Sequence, residues 1–288
     1  MGLRKIYFAV SAAMILIGVF SIIKWGLNLG VDFKGGSIIE YKFEESISTE
    51  EISNKLKESG IDVTSIQSTG QTSYLFKLPP ISKEEKEKIN TILNEEVSGA
   101  DIEELRFETV GPSIGPDLIR RTINAIIIAA ILIMLWVAYQ FKSLKYGVSA
   151  ILAMFHDSFI LIGSFAILGY FLDVEVDFLF ITALLTTLSF SVHDTIVVYD
   201  RIRESQKKYG GDLTDIANKA VSETMVRSLN NSFTIMFMLI ALALMGGTTI
   251  KWFAIALLIG TVLGTYSSPF VAVPLLVTWD EIEKRVKK

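Results

Sequence analysis

The sequence has no cysteine, no excess of basic residues and no motif typical of a hydrolase. The lack of cysteine excludes a disulfide framework and a thiolate metal site. The net charge is −4, and residues 26–121 contain 18 Asp and Glu against 11 Lys and Arg, so the basic footprint of a nucleic-acid-binding protein is absent. Neither a nucleophile elbow nor a nucleophile with an adjacent base occurs, and we therefore expect that the protein is not an enzyme.

Apolar residues, in contrast, are abundant. Hydrophobic side chains make up 51% of the 288 residues, and the mean hydropathy is +0.47. Such a composition is typical of a multi-span membrane protein. The first apolar run, residues 6–23, follows Arg4 and Lys5 and has no small-residue cleavage site after it. This pattern predicts an uncleaved first transmembrane helix within residues 1–28.

Five further apolar runs predict five more transmembrane helices between residues 120 and 280. Gly260 and Gly264 in the last run have the small-xxx-small spacing with which transmembrane helices pack closely, and Pro269 and Pro274 are expected to break it. The predicted helices are 123–141, 146–172, 178–199, 225–245 and 252–278, with a tight turn at 246–249 and a basic cytoplasmic tail at 281–288. Residues 201–224 are predicted to form a polar cytoplasmic loop with a helix-like piece from Asp212 onward.

The segment 29–119 has the pattern of a small soluble domain. Strand-like runs and helix-start signals alternate in the order β-α-β-β-α-β. Ser48 with Glu51 and Ser82 with Glu85 have the spacing of capping boxes, so each pair is expected to begin a helix. This order predicts a ferredoxin-like sandwich, in which two helices cover one face of a four-stranded sheet. Two Gly-Pro dipeptides in residues 110–117 predict a rigid, non-helical linker after it.

A glycine-rich stretch, GLNLGVDFKGGS at 26–37, joins the first span to this domain. The interval from Gly30 to Gly35 resembles that of a phosphate-binding loop, but Gly36 stands where such a loop requires lysine. We therefore reject nucleotide binding and interpret the glycines as residues of a tight turn.

The distribution of Lys and Arg predicts the orientation of the chain. Both residue types are concentrated at the N-terminus, after the second and fourth spans, and in the tail, whereas the short loops on the opposite side contain only Lys251. By the positive-inside rule, both termini are expected in the cytoplasm and the domain 29–119 outside. The predicted fold class is an α-helical polytopic membrane protein with six transmembrane helices and a small α+β ferredoxin-like extracytoplasmic domain after the first helix.

Charged residues lie inside the fourth predicted span, where they are costly. At 100° per residue, Thr187, Ser191, Asp194 and Arg201 fall on one narrow arc of this helix. A carboxylate within a bilayer costs at least ~2.5 kcal/mol on insertion scales, so this arc is expected to face protein or water. Arg227, near the start of the fifth span, has a side chain long enough to reach Asp194. Three hypotheses stay open: an ion-dependent switch, a permanent Asp194–Arg227 ion pair, and an Asp194 that is bonded to neighbouring hydroxyl groups and holds two helices together.

A His-Asp dipeptide occurs in two spans, as His156-Asp157 and His193-Asp194. Four such ligands would suit Zn²⁺, but the two pairs lie at different predicted depths, and a metal site is therefore disfavoured. His156 and Asp157 are predicted to form interhelical hydrogen bonds or to act as relay residues.

Five motifs in order resemble those of the SecF family: GVDFKGGS at 30–37, VGPSIGPDL at 110–118, HDTIVVYDRIRE at 193–204, RSLNNS at 227–232 and GTYSSPFVAVP at 264–274. This resemblance implies half of a transporter of the resistance-nodulation-division (RND) type, which works with a SecD subunit beside the SecYEG protein-conducting channel. On the matching positions it implies that Asp194 and Arg227 couple ion movement to export. Supporting or relay positions are Thr187, Ser191, His193, Asp200, Arg201, His156 and Asp157, and the structural positions of the motifs are Gly30, Asp32, Gly35, Gly36, Gly111, Pro112 and Gly115.

The chain departs from the family pattern at two places. His193 stands where asparagine is usual, and RSLNNSFTI replaces the commoner RSLNTS sequence. The imidazole of His193 either adds a group that titrates near neutral pH or replaces the amide as a neutral hydrogen-bonding group.

We therefore predict an accessory subunit of the Sec protein-export machinery in a prokaryotic cytoplasmic (inner) membrane. It is expected to use the transmembrane proton gradient, or sodium as in some family members, to promote late-stage preprotein translocation, without any other cofactor or metal. The expected partners are a SecD-like subunit, the SecYEG channel, unfolded preprotein on the extracytoplasmic side and the lipid bilayer, but no nucleic acid. The alternatives are a stand-alone RND-type exporter of small molecules or lipids and a purely structural scaffold for the channel.

Overall fold

The structure, a computed structural model, describes residues 1–98, 102–111 and 114–286. The chain forms two compact units, one made of residues 1–28 with those from 124 onward, the other of residues 29–123. The helices are α1 Arg4–Trp25, α2 Val31–Lys34, α3 Thr49–Glu58, α4 Lys83–Ile92, α5 Ile114–Phe141, α6 Leu144–Leu172, α7 Phe178–Tyr209, α8 Leu213–Met245, α9 Thr248–Ser267 and α10 Val273–Val286. The strands are β1 Gly36–Lys42, β2 Ser65–Ser68, β3 Ser73–Leu78 and β4 Glu103–Val110.

Six helical stretches in the described residues are long and apolar enough to cross a membrane. Each of the six predicted apolar runs lies in one of them, so the chain is a multi-pass membrane protein. The stretches are Arg4–Trp25, Gly115–Phe141, Leu144–Leu172, Phe178–Tyr209, Leu213–Met245 and Ile250–Val286.

Helix α5 begins earlier than predicted, within the segment expected to be a non-helical linker. Pro116 lies in the first turn of this helix. A proline is tolerated there because the first N–H groups of a helix have no partner within the helix. Gly115 makes this start possible, since a Cβ on it would lie 2.0 Å from the carbonyl oxygen of Phe33. Pro112, part of the same predicted motif, lies outside the described residues.

The predicted loop 201–224 is mostly helical: the helix expected from Asp212 onward is present, whereas the helical structure of residues 201–209 corrects the expectation. Helix α7 continues to Tyr209, and α8 begins at Leu213, so only three residues separate the two helices. Asp212 caps α8 by accepting a hydrogen bond from the N–H of Thr214. Hydrogen bonds from Thr214 and Lys284 hold the pKa of Asp212 below its usual value. The polarity of this stretch reflects solvated helix faces, while its apolar residues Leu213, Ile216, Ala217 and Ala220 join the core.

The last span remains helical where two prolines were expected to break it, although its helix is irregular there. A π-helical segment, Ser268–Ala272, connects α9 to α10 and contains Pro269. A π-helical turn accommodates an irregular residue without ending the helix. Gly247 is the N-cap residue of α9, so the turn predicted at 246–249 ends at Gly247.

Glycines let the membrane helices approach one another closely. A Cβ on Gly163 of α6 would lie 2.3 Å from the Cα of Gly18 in α1. A Cβ on Gly260 of α9 would lie 2.1 Å from Cγ2 of Thr187 in α7. The predicted small-xxx-small packing of α9 is confirmed, because Gly264 contacts Ser191 one turn further along.

Ion pairs link the N-terminal end of α1 to the C-terminal end of α10. Arg4 donates two hydrogen bonds to Glu281, at 2.7 and 2.8 Å. Lys145, in the first turn of α6, lies 2.5 Å from Asp280. These contacts place the start of α1, the start of α6 and the end of α10 at the same end of the helical unit.

The second unit contains the predicted β-α-β-β-α-β succession, preceded by the short helix α2. Its sheet has the strand order β2-β3-β1-β4, and every neighbouring pair is antiparallel. Ser82 and Glu85 form the predicted capping box at the start of α4, whereas Ser48 caps α3 through the N–H of Glu50. Both helices contribute to one core with the sheet, whose members include Ile39, Tyr41, Phe76, Ile52, Leu56 and Ile89.

The glycine-rich stretch before β1 forms a tight turn, as predicted. Gly35 and Gly36 have φ angles of 79° and 147°, which side-chain-bearing residues rarely adopt. A Cβ on Gly36 would also lie 2.7 Å from the carbonyl oxygen of Leu78. Gly30 instead has φ −73° and precedes α2, where Asp32 lies in the first turn.

Candidate functional site

A polar face of α7 is buried inside the helical unit. Thr187, Ser191 and Asp194 are 6%, 1% and 3% exposed, so this part of the predicted arc faces protein. His193 points away from it and is exposed. Arg201, at the end of the arc, is half-buried and forms ion pairs with Glu204 and Glu223.

Asp194 contacts α8 through a serine. Its Oδ2 accepts a hydrogen bond of 2.5 Å from the hydroxyl of Ser228. Arg227 is exposed, and among the ion pairs of the described residues none joins it to Asp194. Ser228 and Arg227 are consecutive and therefore about 100° apart around the helix, so Ser228 faces Asp194 while Arg227 lies at the edge of the contact between α7 and α8.

A groove of about 560 Å³ lies beside the later turns of α7 and the early turns of α8, and Arg227 lines it. Arg203 contacts Asp200 at 3.3 Å and donates a hydrogen bond to the carbonyl of Gln140 at the end of α5. The charged residues lining the groove are Asp200, Arg201, Arg203, Glu204, Lys207, Glu223 and Arg227.

The second His-Asp dipeptide forms a buried cluster between α6, α7 and α9. His156 and Asp157 are 4% and 5% exposed, and Nδ1 of His156 lies 2.9 Å from Oδ1 of Asp157. Oδ2 of Asp157 accepts hydrogen bonds from Ser191 at 2.7 Å and from Ser267 at 2.6 Å. The interhelical hydrogen bonds predicted for Asp157 are therefore present, and a relay role for the pair stays a prediction.

The two His-Asp dipeptides do not converge. Asp157 contacts α9 and α7, Asp194 contacts α8, and His193 is exposed. In the described part of the chain, no group of three or more His, Cys, Asp or Glu side chains is arranged to hold a metal ion.

Serines that bind the two carboxylates were missed by sequence reasoning. Ser228 and Ser267 both occur within quoted motifs, RSLNNS and GTYSSPFVAVP, but neither was singled out. Ser268 hydrogen-bonds Thr195 at 3.0 Å where the π-helical segment begins. The pair Ser267-Ser268 before Pro269 in an apolar run was the available signal, because hydroxyls inside a span usually bind a neighbouring helix.

Comparisons with known proteins place these features in a family context. The family model described as "Protein export membrane protein SecD/SecF, C-terminal" matches residues 89–282, and that of the "SecD/SecF GG Motif" matches residues 20–47. The chain is 42% identical to the protein translocase subunit SecF of Thermobaculum terrenum, over 96% of this chain and 92% of that one. It is 32% identical to protein translocase subunit SecDF of Bacillus subtilis, over 96% of this chain but only 37% of the relative.

A solved structure is similar over nearly the whole chain. The crystal structure of SecDF from Thermus thermophilus, titled a translocon-associated membrane protein, has a TM-score of 0.83 and 32% identity. The similarity covers 98% of this chain and 38% of the SecDF chain. SecDF in its super-membrane-facing form has a TM-score of 0.73.

Proposed function

The chain belongs to the SecF part of the SecD/SecF family of protein-export membrane proteins, and we propose that it couples the transmembrane proton gradient to late-stage preprotein translocation. In this role it works with a SecD-like subunit beside the SecYEG channel of a prokaryotic cytoplasmic membrane. Protons are the favoured coupling ion, with sodium as the alternative. The observation that carries the proposal is Asp194, a buried carboxylate in a spanning helix.

Asp194 has the surroundings that a reversible proton site requires. Its observed partner is a neutral hydroxyl, that of Ser228, which suits a protonated carboxyl group as well as a carboxylate. The guanidinium of Arg227 belongs to the next residue of α8. We propose that proton loss from Asp194 is compensated when α8 turns, or the arginine side chain bends, so that Arg227 replaces Ser228. Alternation between these partners would tie proton movement to a change in helix packing.

An exposed polar face supports a protein partner for the helical unit. Thr182, Thr186, Ser189 and His193 follow one another on the exposed side of α7. Exposed polar residues of α8 form a second stripe, which comprises Arg227, Asn230, Asn231 and Thr234. Polar and charged groups at membrane depth usually face protein or a watery cavity. Because a similar protein is a single SecDF chain, we propose that a SecD-like subunit covers this face.

We further propose that residues 29–119 form a ferredoxin-like domain outside the cytoplasm. The strand order β2-β3-β1-β4, with two helices sharing the core, supports the fold assignment. The location is supported by the basic residues Arg4, Lys145 and Lys284. They lie at the end of the helical unit where the start of α1 meets the end of α10. Cytoplasmic ends of spans are usually rich in such residues. On the extracytoplasmic side, the domain would contact the emerging preprotein or the partner's outer domain.

The test is Asp194→Asn, which keeps the size and hydrogen-bonding capacity of the side chain but removes its titration. We expect loss of ion-driven export in proton-loaded vesicles, with membrane insertion and co-purification of the SecD-like subunit retained. The matched control is Asp173→Asn, because Asp173 is exposed in a loop and has φ 54°, which asparagine tolerates. Full proton-driven export by the Asp194→Asn protein would refute the proposal and favour a structural scaffold.

A further inference from the structure

The cluster around Asp157 leaves one buried atom without a partner. Both oxygens of the Asp157 carboxylate have partners, since His156 lies on Oδ1 and the hydroxyls of Ser191 and Ser267 donate to Oδ2. In the described part of the chain, Nε2 of His156 is a buried nitrogen with no hydrogen-bonding partner. Buried polar atoms in native proteins are rarely left unpaired, so an unpaired ring nitrogen indicates a group that binds there.

The surroundings of His156 provide no fixed cation for Asp157. In the described residues, the ion pair of Asp157 is with His156 alone. The ring of Tyr266 from α9 packs near the imidazole, with ring centroids 6.3 Å apart. The hydroxyl of Tyr266 lies 3.4 Å from both Ser11 and the carbonyl of Tyr7 in α1.

The helices packed against α6 carry their other ionisable groups away from this cluster. On α7, Asp194 binds Ser228 and Tyr199 binds Ser149. The charged residues of α1 lie in its end turns, and those of α10 lie in its second half. The groups concerned are Arg4, Lys5 and Lys24 of α1 with Tyr7, whose ring packs on Phe270; the exposed His193, Tyr199, Asp200, Arg201, Arg203, Glu204, Lys207, Lys208 and Tyr209 of α7; Lys251 of α9; and Asp280, Glu281, Glu283, Lys284 and Arg285 of α10.

The charge balance therefore depends on a proton. With a neutral imidazole that donates from Nδ1, the cluster carries one uncompensated negative charge and Nε2 is an empty acceptor. Transfer of one proton from water to Nε2 gives an imidazolium beside the carboxylate, and the net charge of the pair becomes zero. A buried anion is costly without a partner of opposite charge, and a proton on this atom supplies that partner.

We propose that His156 and Asp157 form a second proton-binding site in the helical unit, distinct from Asp194, with Nε2 of His156 as the atom that takes the proton. The site reaches two other helices through Ser191 and Ser267. Ser267 is the last residue of α9, directly before the π-helical segment, and Ser191 lies about one turn from Asp194 on α7. The charge of Asp157 thus sets how strongly it holds the junction of α9 with α7. Use of this site in ion coupling rests on the proposed function, whereas its proton binding does not.

The chain offers a direct test because it has only two histidines. In the His193→Asn protein, His156 is the only imidazole. The full chain, with a histidine-free tag, is labelled with ¹⁵N-histidine and placed in lipid nanodiscs. The ¹⁵N shifts distinguish the two neutral tautomers from the imidazolium. We expect the Nδ1-protonated tautomer at high pH and the imidazolium as the pH is lowered across the range in which the protein stays folded.

Two further variants should move this equilibrium in opposite directions. Asp157→Asn removes the anion, and the ratio of imidazolium to neutral ring at pH 6 is expected to fall about tenfold or more, which is one unit of proton affinity. Ser267→Ala removes one hydrogen bond that stabilises the carboxylate, and the same ratio should rise. Ser158→Ala is the matched control, because Ser158 lies beside Asp157 but its hydroxyl binds the carbonyl of Met154 in its own helix.

Three outcomes overturn the inference: an imidazole that stays neutral throughout the range, a ratio unaffected by Asp157→Asn, or equal changes in the Ser267→Ala and Ser158→Ala chains. If Asp157→Asn fails to fold, the comparison of Ser267→Ala with Ser158→Ala decides alone. If His156 does not bind a proton, the export defect expected for Asp194→Asn is unaffected. Conversely, normal export by Asp194→Asn would remove the proposed function while the His156 titration stays measurable.

Discussion

At the scale of single residues, the buried polar face of α7 depends on glycines opposite it. Gly260 and Gly264 of α9 bring the backbone of that helix against Thr187 and Ser191. This approach lets the hydroxyl of Ser267, further along α9, reach Asp157. Close packing of small residues against α7 and polar contact with α6 are thus consecutive features along α9.

Replacement of Gly260 by alanine should therefore destabilise the helical unit. The added methyl group would lie 2.1 Å from Cγ2 and 2.6 Å from Cβ of Thr187, and a threonine Cβ cannot swing aside. We expect a loss of about 1–3 kcal/mol, measured as a lower thermal denaturation midpoint in lipid nanodiscs. Gly247→Ala is the control, because a Cβ there meets nothing within 4 Å, and an equally large loss in that protein would contradict the explanation.

Sequence reasoning found the carboxylates but assigned their partners incompletely. The depth and helical arc of Asp194 predicted its burial, and the structure has it 3% exposed. The partner expected from charge was Arg227, whereas the observed one is Ser228. Periodicity within one helix does not determine the rotation of the next helix, and adjacent residues differ by about 100°, so the choice between them was not accessible from the sequence.

At the scale of secondary-structure elements, local signals were most informative where a side chain caps a helix. Ser82 accepts a hydrogen bond from the N–H of Glu85, and the carboxylate of Glu85 accepts one from the N–H of Ser82. Both bonds are between residues three apart, so they were readable from the sequence. The end of α7 at Tyr209 was not, because a polar helical face in water resembles a loop in composition.

Ser82→Ala should weaken the start of α4. Loss of a capping residue costs about 1 kcal/mol, which corresponds to about fivefold faster hydrogen exchange through local opening. We expect this change in the amides of residues 83–92 of the full-length protein. Thr91→Ala is a suitable control, since its hydroxyl binds only the carbonyl of Glu87 in the same helix. Similar acceleration in both proteins would show that the cap is not responsible.

At the scale of the whole chain, distant segments are joined by ion pairs at one end of the helical unit. Arg4 and Glu281 are 277 positions apart, and two parallel hydrogen bonds connect them. Their side chains are 31% and 32% exposed, so water and salt weaken the attraction only in part. The sequence predicted charge on both segments but not this pairing, because no local pattern relates residues so far apart.

Arg4→Glu should lower stability by about 1 kcal/mol, and the exchanged pair Arg4→Glu with Glu281→Arg should recover most of the loss. Thermal denaturation in nanodiscs at low and high salt measures the effect, which should shrink as salt rises. The same exchange at Arg121 and Asp117, a more exposed pair within one helix, should change little in either direction. Lack of recovery in the Arg4–Glu281 exchange would contradict an electrostatic contact.

The short connection between α5 and α6 has a consequence for biosynthesis. Only Lys142, with φ 53°, and Ser143 separate the two helices. Two residues reach about 7 Å when fully extended, whereas the hydrocarbon core of a bilayer is about 30 Å thick. The second helix must therefore return to the side from which the first one started. Membrane insertion therefore has to end with α5 and α6 as a hairpin whose two outer ends lie on the same side of the bilayer.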